Sequence, residues 1–383
     1  MALEDKVNGL NRRYFFGEMT YSKTKFTPQA SSELELADAL VVLQDQAIAF
    51  QLKERFAPQS PSPDGETKWF EGKVLKSGTK QIRDTRAYLE NCSPIRLENR
   101  RGHSRNISGQ EIRKLHGVVC FEPSSSLPLD RLNYRFHESS TAGIIHVMPA
   151  ADYDALVATL LTPAEVFDFF AFREALIVQY PDKVRGLTEQ ALIGQYLSTG
   201  DPMVVPSEAH AATIAQLRHA AEQWDVSGIL ERFAEKITDE TRGSDSYYPI
   251  WLELAKLKRN ELALFKQRFD LTTKNAKEGI LVPYRMFVQR TGCGFVFIPI
   301  PAEHRDEWEK PLMNLTMGGK YSFRAEKCVG VSIAPDGEPE HLLINWCYIE
   351  QEWQEDAVIE EWLRNSPFPP LRTVEIARYH MAQ

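Results

Sequence analysis

Two short apolar runs separated by three polar residues are the strongest constraint on the fold of this chain. Leu36 to Leu43 and Ala47 to Leu52 are rich in residues that favour strands, and Gln44-Asp45-Gln46 lies between them. The pattern predicts a β-hairpin. Because neither run alternates cleanly between apolar and polar residues, we expect helices on both faces of the sheet that contains it.

One end of this hairpin collects an acid, an amide and an amine. If Asp45 and Gln46 form the turn, Asp38 lies opposite Lys53, and a register shifted by two residues places Asp38 opposite Gln51 instead. Gln51 and Lys53 share a face because side chains alternate along a strand. Cross-strand Cβ atoms lie roughly 5 Å apart, so the three side chains meet in either register. The alternative interpretation is a surface ion pair of Asp38 with Lys53, which contributes little stability.

The segments around the hairpin supply further polar residues in a definite order. Upstream, residues 10–19 are predicted as a short amphipathic helix that carries Glu18, and downstream a helix opens at Lys80 and Gln81. In this order (helix with Glu, strand with Asp, strand with Gln-x-Lys, helix with Lys-Gln) the chain resembles the PD-(D/E)XK, or restriction-endonuclease-like, nuclease superfamily. It is most similar to the Mrr-type members, in which Gln often replaces the second acid.

The resemblance implies a role for each of five residues. They are Asp38 as the metal-binding acid, Gln51 at the second acid position, Lys53 as the lysine, Glu18 as the first-helix Glu and Gln81 as the Gln of the following helix. Ala37 stands where the motif has Pro. Since Gln51 brings no negative charge, metal binding depends most on Glu18, for which Glu33 and Glu35 are nearby alternatives.

Hydrolysis of a phosphodiester suits these residue types, because it needs a hard cation held by oxygen ligands. The resemblance implies Mg²⁺ or Mn²⁺ bound by Asp38, Glu18 and the Gln51 carbonyl oxygen, with Lys53 orienting or deprotonating the attacking water. It therefore predicts a Mg²⁺-dependent endodeoxyribonuclease, and the effector of a bacterial restriction or anti-phage defence system. The alternative is an inactive nuclease fold that serves as a nucleic-acid or protein interaction module.

The distribution of charge favours a polyanionic partner near the motif. The chain is acidic overall, with a formal net charge of −8, yet residues 71–115 contain eleven Lys or Arg against five Asp or Glu. A solvated charged face is the alternative interpretation of such a run. Because the run directly follows the motif, we expect it to contact DNA, and the sequence does not distinguish DNA from RNA. The predicted nucleic-acid-binding residues are Lys80, Arg83, Arg86, Arg100, Arg101 and Arg105, the last three in a predicted mobile loop.

The hydrophobic pattern divides the chain into three predicted parts. Residues 1–180 form an α/β domain, a restriction-endonuclease-like mixed sheet flanked by helices, in which Thr162-Pro163-Ala164-Glu165 begins a helix and His146 is a core residue. Residues 185–275 form a helical region that includes predicted helices over 207–239 and 247–269. Residues 278–383 form an acidic α+β domain, with fifteen carboxylates against eight basic residues over 301–383. Its acidic surface and four Trp residues suggest contact with partner proteins or with a second copy, and an ordinary α+β core is the alternative interpretation.

Composition narrows the class of protein further. With 43% hydrophobic residues the chain can bury real cores. Its five cysteines show no CxxC spacing, which favours buried thiols in a reducing compartment over disulfides or zinc sites. No apolar stretch is long enough to span a bilayer and no signal peptide is evident, so we expect a cytoplasmic protein without a membrane partner.

Overall fold

The computed structural model describes residues 2–22, 24–28, 32–55, 62–92, 94–217 and 247–374, apart from the side chains of 338–340. The chain forms two compact units, residues 1–218 with 381–383 and residues 219–380. The boundaries differ from the three predicted parts. The helix of residues 189–198 packs within the first unit, whereas the helices of 248–255 and 259–277 belong to the second.

The first unit combines a mixed sheet with helices. Its described helices are α1 (Leu3–Tyr14), α2 (Pro63–Trp69), α3 (Thr79–Asn91), α4 (Leu129–Leu132), α5 (Ala150–Leu160), α6 (Pro163–Gln179), α7 (Pro181–Val184), α8 (Glu189–Ser198) and α9 (Ala212–Gln216). Its described strands are β1 (Thr20–Tyr21), β2 (Lys25–Phe26), β3 (Leu34–Glu35), β4 (Ala39–Leu43), β5 (Gln46–Lys53), β6 (Ile95–Glu98), β7 (Ser104–Ile107), β8 (Lys114–Phe121), β9 (Phe136–Ser139) and β10 (Gly143–Pro149). A mixed sheet flanked by helices was the fold class expected from the sequence, and it is confirmed at that level.

Six of these strands form the central sheet, in the order β1-β4-β5-β8-β10-β9. The pairs β1–β4, β4–β5 and β9–β10 are antiparallel, and β5–β8 and β8–β10 are parallel. The crossover between the parallel strands β5 and β8 includes α2 and α3, as a parallel connection requires. Along the chain, α1 is followed by three antiparallel strands, a helical crossover and a parallel strand.

The predicted hairpin is present, but its register differs by two residues from the first of the two predicted alternatives. Leu43 pairs with Gln46 and Ala39 pairs with Phe50, so the turn is Gln44-Asp45. Continuing this register places Asp38 opposite Gln51, and the backbone N–H of Asp38 donates to the Phe50 carbonyl at 3.1 Å. Gln44 adopts a left-handed conformation with φ of 56°. Gly and Asn are the residues that usually indicate such a turn, so the Gln at this position does not predict it.

A continuous helix covers the β4–β5–β8 part of the sheet. It begins at Pro63 rather than at Lys80 as predicted, and residues Phe70–Gly78 between α2 and α3 form a π-helical segment. Ile82 packs on Gly117 of β8, and Phe70 contacts Phe121 with ring centroids 5.3 Å apart. Gly117 and Val119 therefore face this helix.

The opposite face of the sheet packs against α5 and α6. Phe50 contacts Tyr153 of α5 with ring centroids 5.1 Å apart. The predicted start of α6 is confirmed, because the Thr162 side chain accepts a hydrogen bond from the Glu165 backbone N–H at 3.2 Å. His146 is fully buried in β10, as predicted for a core histidine.

The second unit contains a four-stranded sheet and helices. Its described elements are α10 (Tyr248–Ala255), α11 (Arg259–Lys277), β11 (Tyr284–Val288), β12 (Cys293–Pro299), α12 (Glu309–Phe323), β13 (Lys327–Asp336), β14 (Glu338–Glu350) and α13 (Ala357–Arg364). The predicted single helix over 247–269 is wrong, since it is interrupted between α10 and α11. Lys256 is buried and pairs with Glu253 at 2.6 Å, and Arg259 is also buried. Most of the predicted helix over 207–239 lies outside the described residues.

Two general expectations concern the cysteines and the membrane. The five cysteines are free thiols, and the prediction of burial holds for Cys120, Cys293 and Cys328, whereas Cys92 and Cys347 are only partly buried. In the part of the chain described here, no helix has the length and apolarity needed to cross a membrane.

Candidate active site

Asp38 and Gln51 form the centre of the site, directly opposite each other at one end of the β4–β5 hairpin. Asp38 Oδ2 accepts the backbone N–H of Leu52 at 2.6 Å, which fixes the carboxylate against β5. No described residue donates a hydrogen bond to Asp38 Oδ1. Gln51 is 3% exposed, and its Oε1 atom is buried without a hydrogen-bond partner among the described residues. Asp38 and Gln51 therefore share one face at the end of the hairpin where the sequence predicts a cation, and each has a side-chain oxygen without a hydrogen-bond partner among the described residues.

Lys53 lies on the same face of β5 as Gln51. Its Nζ atom donates to the Leu52 carbonyl at 3.1 Å and is 3.8 Å from Asp38 Oδ2. Burial lowers the pKa of Lys53, and the charges of Asp38 and Glu35 oppose this shift without reversing it. A lysine of lowered pKa is neutral to a larger extent near neutral pH than an exposed one, and only the neutral amine can act as a general base.

The π-helical segment lies directly over these side chains. Gln51 pairs with Val119 and Lys53 with Phe121 in the parallel register, so both point to the helix-covered face. A Cβ atom at Gly78 would lie 3.5 Å from Lys53 Cε, so the helix backbone lies directly against the lysine chain. Segments of π-helix occur frequently at functional sites.

Further charges surround Asp38. The pKa of Glu35 is raised, first by partial burial and next by the negative charge of Asp38. Lys25 and Lys53 oppose this shift, and Glu4, in the first turn of α1, adds to it. The backbone N–H of Leu3 donates to Glu54 Oε2 at 2.8 Å, so the start of α1 lies beside the end of β5. The acidic residue of the first helix at this end is Glu4, which the sequence did not single out.

Gln81 lies on the face of α3 that is turned toward the sheet. It is one turn beyond Gly78, which contacts Lys53, and one turn before Thr85, whose hydroxyl donates to the Leu36 carbonyl. Its Oε1 atom is buried without a hydrogen-bond partner in the described part of the chain. Helical spacing thus places Gln81 over the strand ends that carry Asp38 and Lys53.

Glu18 is not part of this group, and its predicted grouping with Asp38 is corrected. The first helix ends at Tyr14, and Glu18 lies in a 3₁₀ turn before β1. Continuing the β1–β4 register places Glu18 beside Leu43, whereas Asp38 precedes the other end of β4. Five residues at roughly 3.3 Å each separate the two positions by about 16 Å.

Glu18 instead holds the loop that joins β6 and β7. Its carboxylate accepts Asn99 Nδ2 at 3.0 Å, lies 2.9 Å from His103 Nδ1 and pairs with Arg101 Nε at 3.3 Å. Asn99 Oδ1 accepts the backbone N–H groups of Arg101 and His103. The loop predicted to be mobile is therefore held by a buried carboxylate and an amide.

The predicted nucleic-acid-binding residues fall into two separate groups. Lys80, Arg83 and Arg86 lie on α3, where Lys80 pairs with Asp84 at 2.6 Å and Arg86 with Glu90 at 3.3 Å. Arg100, Arg101 and Arg105 belong to the β6–β7 hairpin, whose loop is held at the Glu18 end. Lys73 belongs to the same basic run of residues 71–115, and it is an exposed residue of the π-helical segment whose charge acts on Lys53.

A second polar cluster lies on the other face of the sheet. Among the described residues, His116, His146 and Glu174 are the group whose ligand atoms lie close enough together to hold a metal ion, within 4.8 Å. His116 Nδ1 lies 2.6 Å and His146 Nε2 3.3 Å from Glu174 Oε1. Although burial acts to raise it, the hydrogen bonds from these two histidines hold the pKa of Glu174 well below its usual range.

The hydrogen bonds of His146 are made within the protein, whereas His116 Nε2 is buried without a hydrogen-bond partner among the described residues. Arg173 donates to His146 Nδ1 and also forms hydrogen bonds of 2.9 Å with both oxygens of Glu189. Since Nδ1 must carry a lone pair, the proton of the neutral ring is on Nε2, where it donates to Glu174. Burial lowers the pKa of His146 to about 4, which keeps the ring neutral. The chain Glu189–Arg173–His146–Glu174–His116 thus joins α6 and α8 to β8 and β10.

Comparison with protein-family models, with curated proteins and with solved structures gives no match in any of the three. The case for a function therefore rests on the residues of the site.

Proposed function

We propose that the first unit is a metal-dependent phosphodiesterase that cuts DNA internally, with its centre at Asp38, Gln51 and Lys53. The observation that carries the proposal is the hairpin register. It puts Asp38 opposite a buried Gln51 whose Oε1 atom has no hydrogen-bond partner among the described residues, with Lys53 two residues further on the same face. The order of elements supports it too, because a helix, antiparallel strands, a helical crossover and a parallel strand agree with a restriction-endonuclease-like unit.

The residues present fit a hard divalent cation. Asp38 Oδ1 and Gln51 Oε1 are oxygen donors of the kind that Mg²⁺ and Mn²⁺ prefer. A buried amide oxygen without a hydrogen bond costs about 1–3 kcal/mol, and a cation ligated there removes that cost. When bound, such an ion would polarise the phosphate and acidify the attacking water.

Lys53 performs the proton chemistry in this proposal. Its amine lies beside Asp38, and burial lowers its pKa, so that a larger fraction of it than of an exposed lysine is neutral and able to take a proton from water. In the protonated form the same Nζ atom offsets negative charge that develops on the phosphate. Asp38, fixed by the Leu52 N–H, keeps the amine at this edge of the sheet.

The basic surface of the helix supports a nucleic-acid substrate. Lys73 and Lys76 are exposed on the π-helical segment, and Lys80 and Arg83 follow on α3. The charge of Lys73 acts on Lys53, so a backbone phosphate bound at Lys73 would lie at the same end of the sheet as the site. The β6–β7 hairpin lies at the other end of β4, so its arginines can contact the nucleic acid only at a distance from Asp38 and Lys53. The predicted role in restriction or anti-phage defence stays a prediction.

The test is cleavage of supercoiled plasmid by the purified full chain with Mg²⁺ or Mn²⁺. Asp38→Ala and Lys53→Ala are expected to lower the rate at least a hundredfold, while Asp45→Ala, at the turn of the same hairpin, retains it. Nicked and linear products identify internal cutting, and a parallel reaction with single-stranded RNA decides the substrate class. Cutting that persists in both site variants overturns the assignment. Absence of cutting by the wild type with either metal favours the inactive binding module instead.

A further inference from the structure

A proline-rich segment follows α13 in the second unit. From residue 366 to residue 372 its sequence is Ser-Pro-Phe-Pro-Pro-Leu-Arg. A proline ring fixes its own φ at about −65°, and the residue before a proline is restricted to extended conformations. The prolines at positions 367, 369 and 370 therefore favour the polyproline II conformation throughout residues 366–370.

The structure agrees with an extended and solvated segment. Residues 368–374 belong to no helix or strand, and within the described part of the chain none of their backbone N–H groups donates a hydrogen bond. A polyproline II helix has no internal hydrogen bonds and leaves its backbone in contact with water. Pro367, Pro369 and Pro370 are exposed. Arg372 is exposed too, and it forms no ion pair with a described residue.

Phe368 holds the middle of the segment against the second unit. Its side chain is half-buried, with Arg285 Cζ 4.1 Å from the centre of the ring and the Trp362 ring 6.4 Å away in an edge-on arrangement. Arg285 Nη2 also donates to the Pro369 carbonyl at 2.7 Å. These contacts fix the segment at its centre and leave the proline rings and Arg372 in solvent.

The side chain that is held lies on a different ridge from the exposed ones. Polyproline II has three residues per turn, so side chains three positions apart share a ridge. By this spacing Phe368 shares a ridge with Leu371. Pro367 and Pro370 share a second ridge, and residue 369 shares the third with Arg372. Because Phe368 is turned toward the second unit, the two ridges that carry the prolines and the arginine face water.

Proteins with an aromatic-lined groove, such as SH3 domains, bind segments of this kind. They dock Pro-x-x-Pro segments and exploit a conformation that is ordered before binding. Pro367 and Pro370 have this spacing, and Arg372 follows two residues later. A guanidinium at that position can form paired hydrogen bonds with a carboxylate beside the groove. The ridge of Phe368 can stay on the second unit while the other two enter such a groove.

We propose that residues 366–372 are a docking segment for a partner protein with an aromatic-lined polyproline groove and an acidic residue beside it. The prolines and the contacts of Phe368 order the segment in advance, which lowers the entropic cost of binding. The inference uses residues of the second unit alone and is independent of the proposed nuclease centre.

The test is a calorimetric titration of the full chain with an SH3 domain that selects Pro-x-x-Pro-x-Arg ligands. Arg372→Glu is expected to raise the Kd at least about tenfold, because the carboxylate of the groove then faces a like charge. The double variant Pro367→Ala/Pro370→Ala is expected to raise it as much, because the segment loses two docking rings and its fixed φ angles.

Two variants serve as matched controls. Arg364→Glu makes the same change of charge at an exposed residue of α13, outside the segment. Leu371→Ala removes a 53% exposed side chain within the segment, on the ridge of Phe368. Both are expected to keep the Kd within about twofold of the wild-type value. Circular dichroism shows whether each variant keeps its fold.

Each result decides for or against the docking segment. Loss of affinity in the Arg372 and double-proline variants, with both controls unchanged, supports it. Absence of binding by the wild-type chain overturns it. An equal effect of Arg364→Glu and Arg372→Glu also overturns it, because binding then follows overall charge. A loss in Leu371→Ala as large as that in Arg372→Glu would contradict the assignment of the ridges and with it the proposed mode of docking.

Discussion

Gly78 fixes how closely the helix lies on the sheet that carries the candidate site. A Cβ atom at this position would lie 2.7 Å and 3.2 Å from the two methyl carbons of Val119, and 3.5 Å from Lys53 Cε. Ordinary contacts begin near 3.4 Å, so the helix and β8 must separate by about 0.7 Å in Gly78→Ala. Overpacking of this kind costs about 1–3 kcal/mol, and alanine returns up to about 1 kcal/mol of helix propensity. We expect a net loss of about 1–2 kcal/mol.

Gly72, in the same π-helical segment, is the matched control. Nothing lies within 4 Å of a Cβ atom there, so Gly72→Ala should stabilise the unit by about 0.5–1 kcal/mol. Combining Gly78→Ala with Val119→Ala removes the two methyl groups in conflict. The double variant should therefore lose less free energy than the sum of the single changes, by about 1 kcal/mol.

Hydrogen–deuterium exchange measured by mass spectrometry on the full chain is the assay, because it reports the opening free energy of α3 and β8 separately from the second unit. Cleavage measured in parallel should fall in Gly78→Ala, since the shift displaces Lys53, and stay unchanged in Gly72→Ala. Equal stabilisation of the first unit by Gly78→Ala and Gly72→Ala would contradict the close contact of the helix with Val119.

Three further predictions follow from charges and pKa shifts. The cleavage rate should rise with pH through the pKa of Lys53, which burial holds below 10.5, because only the neutral amine accepts the proton. If Lys53→Arg leaves the dependence of the cleavage rate on pH unchanged, this role of Lys53 is contradicted. Arg173→Met should lower the free energy of unfolding in urea by about 3–5 kcal/mol, because Glu189 stays buried without its cation. Arg185→Met removes an exposed ion pair and should lower it by less than about 1 kcal/mol. Equal losses in the two variants would contradict a buried network around Arg173. Lys73→Ala should lower the magnitude of the slope of log affinity for DNA against log salt concentration by about 0.9, and Arg100→Ala should not change it. The opposite result would indicate that DNA binds at the β6–β7 hairpin instead.

The hairpin and its polar end could be predicted from sequence because β-forming runs and a period of two are local properties. Which of the two predicted registers the hairpin adopts could not be decided from the sequence. The turn depends on Gln44 adopting a φ of 56°, and this conformation is usually indicated by a Gly or an Asn. Even so, Asp38, Gln51 and Lys53 lie together, because the shift of two residues preserves the face of every side chain.

The misplacement of Glu18 has a similar physical cause. Amphipathic spacing predicted a helix over 10–19, but α1 covers residues 3–14 and Phe16 adopts a φ of 59° that redirects the chain. Spacing indicates which face of a helix is buried and leaves its ends undetermined. Glu4 comes close to this end of the sheet through the packing of α1, and no local pattern in the sequence reports such a contact.

The β6–β7 loop and the second polar cluster show the same limit. A run of Arg, Gly and Ser is typical of a mobile loop, yet Glu18 holds this one through residues far away in the chain. His146 could be predicted as a core residue from its apolar neighbours. Its partners Arg173 and Glu174 lie on α6, and only the packed fold brings them together.

The ratio of cleavage rates of Asp38→Ala and Asp45→Ala, measured on one supercoiled plasmid across a Mg²⁺ series, tests the central claim most directly. Both variants remove one aspartate from the same hairpin, at its opposite ends. We predict that Asp45→Ala cuts like the wild type and that Asp38→Ala is at least a hundredfold slower at every Mg²⁺ concentration. Equal rates for the two variants would contradict a metal-dependent nuclease centre at Asp38.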